Sequence, residues 1–124
     1  MERKTRQRSA IRDAILEAHR PLTPAEVLEL ARRVVPGLGI ATVYRFIKSM
    51  VDEGSVVPVE IPGAAPHYEV GHLGHHHHFH CRSCRRVFEL RGCPRDLARL
   101  APAGFELDGH EVVLYGRCEG CAAA

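Results

Sequence analysis

The chain has 124 residues, of which 45% are apolar, 6% aromatic with no Trp, and 26% charged, for a formal net charge of +2. That suffices for one ordinary domain or two very small ones built on Leu, Val, Ile and Ala, and it excludes a large enzyme with a deep cleft. No apolar run approaches the roughly 18 residues of a membrane helix, and Met1-Glu2-Arg3-Lys4 leads into no apolar segment of a secretory leader, so a cytoplasmic protein is expected.

The first half reads as helices. Arg6 to Ala18 sets Ile11, Ala14, Ile15 and Ala18 at helical spacing, and Pro21 ends that segment. Thr23, Pro24 and Glu26 then form the cap, first turn and capping-box partner of a second helix running to about Val34. Pro36-Gly37-Leu38-Gly39 breaks the chain, and a third helix follows over Ile40 to Glu53 with Val43, Phe46, Ile47 and Met50 on one stripe and Gly54 as its C-cap. Residues 1–54 carry ten Lys/Arg against seven Asp/Glu, whereas residues 55–124 carry seven against eight. The basic surplus therefore accompanies the helices and points to an anionic partner there.

After Gly54 the period changes from helical to alternating. Val56 to Ile61 and His67 to Val70 read as a hairpin around Pro62-Gly63-Ala64-Ala65-Pro66. Three short helices and a hairpin make a winged helix-turn-helix pattern with the third helix as recognition helix. Gly71 to Gly74 reads as a hinge. The remaining residues read as strand (75–81), turn (81–84), strand (86–90), helix (94–102), strand (104–108) and strand (110–116). So short a unit buries little core by itself and calls for a metal, a partner subunit, or both. The expected class is α+β: a winged helix over 1–70, the hinge over 71–74, and a small α/β domain over 75–124.

Nine His and five Cys are the unusual numbers. Cys81-Arg82-Ser83-Cys84 and Cys118-Glu119-Gly120-Cys121 are two pairs of equal spacing, which together offer four soft ligands for a tetrahedral structural zinc. Cys93 is left over; just before Pro94 it is expected to cap or pack at a helix start, and it is assigned no function. His75 to His78 form an internal run. In a strand, alternate side chains point to opposite faces, so His75 and His77 face one way and His76 and His78 the other. One run can then feed two metal sites, completed by ligands from among Glu69, Glu89, Asp96 and His110.

Three stretches together resemble the ferric uptake regulator (Fur) family across nearly the whole chain: Ala41-Thr42-Val43-Tyr44-Arg45, the run His75 through Cys84, and Leu114-Tyr115-Gly116-Arg117-Cys118 with Cys121. The resemblance implies a dimeric, metal-responsive transcriptional regulator, most often a repressor, with an N-terminal winged helix and a C-terminal α/β dimerisation domain. It implies a structural zinc at Cys81, Cys84, Cys118 and Cys121, a regulatory hinge site at Glu69, His76, His78 and Glu89, and an additional site at His75, His77, Asp96 and His110. The regulatory cation would be Zn, Fe or Mn. On operator DNA, Arg45 would reach a base or a phosphate, Tyr44 would pack on a thymine methyl, Thr42 would contact the backbone, and Arg6 and Arg8 would neutralise phosphates.

The sequence also departs from the family. Arg20-Pro21 stands where the hinge site often takes a His, which leaves His19, His67 and His72 as candidates to complete it. His77 stands where many iron sensors have Asp and leans toward the zinc uptake regulator branch, whereas Glu69 fits the iron- and peroxide-sensing branches. Glu89, in place of the peroxide sensors' usual Asp, argues against peroxide sensing. Outside the family, a small zinc hydrolase needs an open coordination position, a base and a cleft, for which the chain leaves little room. A metal-storage protein has no use for basic helices.

Overall fold

The computed structural model describes residues 2–123. Three helices come first: α1 (Arg3–Ala18), α2 (Pro24–Ala31) and α3 (Ile40–Glu53). α1 begins three residues before the expected start, and α2 stops before Val34, its last turn giving way to irregular turns. The α2 cap is formed as the sequence dictates: Thr23 Oγ1 accepts from the Glu26 amide at 3.2 Å, and Glu26 Oε1 accepts from the Thr23 amide at 3.1 Å. α3 ends at Gly54, which takes the left-handed conformation (φ 83°). Ile11, Val27, Val43, Ile47 and Met50 converge with Leu22 and Leu38 into the main core. Full burial of each such aliphatic side chain stabilises by about 1.5–3 kcal/mol.

The hairpin β1 (Val56–Val59) and β2 (His67–Val70) is antiparallel with Val57 opposite Glu69. Leu22 bridges to Tyr68 and ties the wing to the helices. The second sheet has the order β4-β3-β5, with β3 (His77–Cys81) central, antiparallel to β4 (Val87–Leu90) and parallel to β5 (Val113–Gly116). A short helix α4 (Glu119–Ala122), absent from the sequence reading, closes the chain.

Two expectations for this half fail. The helix over 94–102 is a single 3₁₀ turn, Leu97–Leu100, that buries nothing, and Leu100 is 79% exposed. Residues 104–108 form no strand: among the described residues no strand pairs with them to complete a ladder. Among the described residues this unit buries few side chains, namely Cys81 and Val87 with His77 and His80, and Val87 packs on Val59 and Ile61 of the wing.

Candidate metal centres

The first cluster is sulfur. The parallel pairing of β3 and β5 sets Cys81 opposite Gly116, two residues before Cys118, and the one-turn helix α4 then carries Cys121 back toward Cys81 and Cys84. All four Sγ atoms lie within 4.8 Å of one another, and all five cysteines are free. Cys84 and Cys118 sulfurs are 3.8 Å apart. A tetrahedral ion with metal–sulfur bonds of about 2.3 Å places its sulfurs about 3.8 Å apart, so the donor set fits zinc. The amides of Cys84 and Cys118 donate to Cys81 Sγ at 3.4 and 3.3 Å and lower its pKa to about 5. The sulfurs of Cys118 and Cys81 push Cys121 up to about 12.

The second cluster spans the hinge. Glu69 sits on β2 and is 5% exposed. Its Oε1 is 2.7 Å from His76 Nε2 and 3.3 Å from His78 Nε2. His76 Nδ1 donates to the Gly74 carbonyl at 2.8 Å, which leaves Nε2 free to act as a ligand. Burial pulls the His76 pKa down, but the Gly74 carbonyl and the Glu69 carboxylate outweigh it and raise the value. A cavity of about 150 Å³ adjoins the three residues and is shared with Glu60 and Glu111.

Glu89 stands opposite His78 in the ladder but is not among the donors that converge. It lines a small cavity of about 50 Å³ with Glu69 and His19. His19 caps α1 in the left-handed conformation and, of the three candidate histidines, is the one that shares this cavity. His72 is exposed. His67 is buried on another side, where its Nε2 has no partner, and it lines a separate cleft with His80, whose Nδ1 is likewise unpartnered.

The third cluster is on the opposite face of the histidine run. The His75 and His77 rings are 4.6 Å apart and the His76 and His78 rings 4.8 Å, as strand alternation requires. His110 joins His75, with 3.1 Å between their Nε2 atoms. Asp96 does not join them: its side chain is 74% exposed and faces Arg99 at 3.8 Å. Cys93 takes its place, with Sγ 2.9 Å from His110 Nε2, 3.4 Å from His77 Nε2 and 3.6 Å from His75 Nε2. The sequence reading missed Cys93. The signal was there: a fifth cysteine, unused by either pair, is a better metal donor than a solvated aspartate.

On the helical half, Tyr44 is 54% exposed and Arg45 is exposed on α3, with Arg45 Nη2 donating to Thr42 Oγ1 at 3.0 Å. Arg6 reaches the Val34 carbonyl at 3.2 Å. Arg8 is paired with Glu53 of α3, so its charge is already shared within the chain.

The sequence model of the Ferric uptake regulator family matches residues 2–115. The "Ferric uptake regulation protein" of Campylobacter jejuni is 30% identical over 122 residues, covering 94% of this chain and 78% of that one. Among solved structures, a zinc-bound manganese uptake regulator shares 28% identity at a TM-score of 0.81, covering 90% of this chain and 87% of the other. FurB of M. tuberculosis, described as a zinc uptake regulator, shares 29% identity at a TM-score of 0.53, covering 96% and 95%.

Proposed function

Since this chain belongs to the ferric uptake regulator family and is a metal-sensing, DNA-binding transcriptional regulator of metal homeostasis, we propose that Glu69, His76 and His78 form the sensor. The reading divides the chain into a DNA-binding unit over 1–70, a hinge over 71–74 and a dimerisation unit over 75–124. The observation that carries it is the 2.7 Å approach of Glu69, on one side of the hinge, to His76 on the other. A buried carboxylate and two imidazoles suit Zn(II), Fe(II) or Mn(II). A bound divalent cation supplies a bridge between the wing and the second sheet.

Glu69 fixes the wing end of that bridge, and its own strand is tied to the helices through Leu22 and Tyr68. His76 and His78 fix the other end on β3. Closing the hinge in this way sets how α3 is presented, and affinity for operator DNA rises only by as much as the closed state binds the cation better than the open one. Glu89 and His19, lining the adjoining cavity, are the residues to complete the ligand set.

We assign Cys81, Cys84, Cys118 and Cys121 to a structural zinc that holds the small second sheet together. Thr42, Tyr44 and Arg45 would meet a major groove, with Arg6 on phosphate. Arg8 would first have to leave Glu53. A homodimer is supported by Leu100, Phe105, Leu107 and Leu114, which are 79%, 70%, 50% and 49% exposed in the single chain. A cytoplasmic repressor is the reading that joins these parts.

The test is operator binding measured against Zn(II), Fe(II) and Mn(II) concentration in the wild type and in Glu69→Gln. DNA binding that requires added cation in the wild type and no longer responds in the variant is expected. An unchanged response in Glu69→Gln refutes the assignment of the sensor.

A further inference from the structure

We propose that the cleft between α2, the wing turn and the β3–β4 turn binds a small zwitterion, an amino acid or a short peptide. Its ammonium group would meet Glu29, its carboxylate Arg85 and Arg86, and its remaining N–H groups the free ring nitrogens of His67 and His80. The cleft measures about 410 Å³, within the usual range of small-ligand sites. Of the three ligand clusters it touches only the sulfur one, through Cys84.

Two buried rings point to a ligand. His67 is 1% exposed and His80 7%. His67 Nδ1 donates to the Ala65 carbonyl at 2.6 Å, whereas His67 Nε2 and His80 Nδ1 have no hydrogen-bond partner. Both rings line this cleft. Buried polar atoms are almost always paired, so each exception calls for a cause. A cation is not that cause. Among the described residues neither ring belongs to a group of three converging donors, and Arg85 and Arg86 would repel a positive charge.

The walls of the cleft carry opposite charge. On α2, Glu26 is engaged by Arg20 at 2.8 Å and by its own helix cap, but Glu29 is exposed. On the other wall Arg85 and Arg86 are exposed. Among the described residues, Glu29, Arg85 and Arg86 form no ion pair. The two arginines are fixed at the backbone. The Arg85 amide donates to the Cys81 carbonyl at 2.9 Å, and the Arg86 carbonyl accepts from the Cys81 amide at 3.0 Å. Arg85 takes φ 66°, a conformation that glycine adopts more readily, so its charge is kept at the cleft against backbone preference. A bare anion would face the α2 carboxylates and a bare cation the guanidiniums. A molecule with both charges suits both walls.

α2 and the wing precede the hinge, and the β3–β4 turn follows it. A zwitterion held by both walls ties the two units at a second place. Where it and the hinge cation favour the same closed arrangement, each strengthens the binding of the other. That consequence rests on the sensor reading; the site itself does not.

The test uses the full-length protein with zinc retained at the four cysteines and labile cations removed by chelator. L-Alanine and tri-L-alanine are titrated calorimetrically. The first carries its charges on neighbouring groups, and the second spreads them over about 10 Å. Saturable binding of at least one is expected, and which one binds tells a free amino acid from a peptide. Its N-acetylated and C-amidated forms, each lacking one charge, should bind at least about tenfold more weakly. Glu29→Gln should lose the preference for the free amine. Arg85→Gly combined with Arg86→Gln should lose the preference for the free carboxylate, and glycine suits the backbone at position 85. His67→Phe should weaken every probe. Zinc content and far-ultraviolet circular dichroism, matched to wild type, show that each variant is folded; Glu29→Gln, on an exposed helix position, keeps the test open if the others are not. No saturable binding of either probe up to about 10 mM would mean that water alone serves the two rings, and would overturn the proposal. Unchanged discrimination between free and blocked amine in Glu29→Gln would overturn it too. Glu69→Gln should bind the probe as wild type does, whatever happens to its DNA binding, so failure here and failure of the sensor assignment are distinguishable.

Discussion

Replacing Gly71 with Ala tests how closely the hinge is seated on the helical domain. Gly71 follows β2, and its amide donates to the Ser55 carbonyl at 3.0 Å. A Cβ at this position would stand 2.3 Å from the Gly54 carbonyl oxygen. That oxygen belongs to the C-cap of α3, so the clash is backbone against backbone and no rotamer relieves it. The approach is about 1 Å short of ordinary contact, and displacing packed backbone by that much costs about 2 kcal/mol. For a chain of this size the melting temperature should fall by about 8 °C. Glu69 lies two residues upstream, and the same displacement should weaken the hinge cluster's cation affinity by about tenfold or more, about 1.4 kcal/mol. The control is Gly37→Ala, where nothing lies within 4 Å of the new Cβ. Thermal unfolding followed by circular dichroism, with chelator and at fixed protein concentration, gives the first number, and cation titration the second. Equal melting temperatures for the two variants would refute the reasoning.

Other outcomes follow from the same contacts. Because His76 is raised above its usual 6.5, protons should begin to compete for the hinge cluster above that pH, and cation affinity should fall on acidification through that window. The sign for the metal-free protein is opposite: the His76–Glu69 pair stabilises fully below the unfolded value and is lost as pH rises through the raised folded value, which chelated denaturation at several pH values would reveal. Thr23→Ala removes the acceptor of the Glu26 amide and should lower stability by about 1 kcal/mol in urea unfolding. Cys118→Ser breaks the four-sulfur set; the variant should lose zinc and show faster amide exchange over 77–81 and 113–116, while residues 11–50 stay protected. Exchange that rises equally everywhere would mean that the sheet is not separately held by metal.

The helical half was legible because its signals are local. Thr23-Pro24-Ala25-Glu26 fixes a helix start through contacts within one turn, and Gly54 fixes a helix end through its own φ. Neither depends on what the rest of the chain does. The second half depends on partners. Residues 104–108 alternate like a strand, yet a strand exists only where a neighbour completes the ladder, and among the described residues none does. Leu97, Leu100 and Ala101 have helical spacing, yet a helix this short is stable only if it buries that face, and Leu100 stays in solvent.

The metal ligands divide along the same line. Strand parity separated His75 and His77 from His76 and His78 because the alternation of a strand is a property of the backbone itself. Pairing Cys81 with Cys118 was a matter of equal spacing, later accounted for by the parallel register of β3 and β5. Naming Asp96 as a ligand and leaving Cys93 without a function rested on no such regularity. The two are three residues apart in an irregular segment, where no period says which side chain turns inward. Asp96 has a partner at hand in Arg99, and a charged carboxylate is easily solvated. The Cys93 thiol, though itself exposed, is held less strongly by water and stands 2.9 Å from His110. In this segment without secondary structure, the donor that water holds less strongly is the one beside the histidines, and ligand assignment there should begin from solvation rather than from sequence distance.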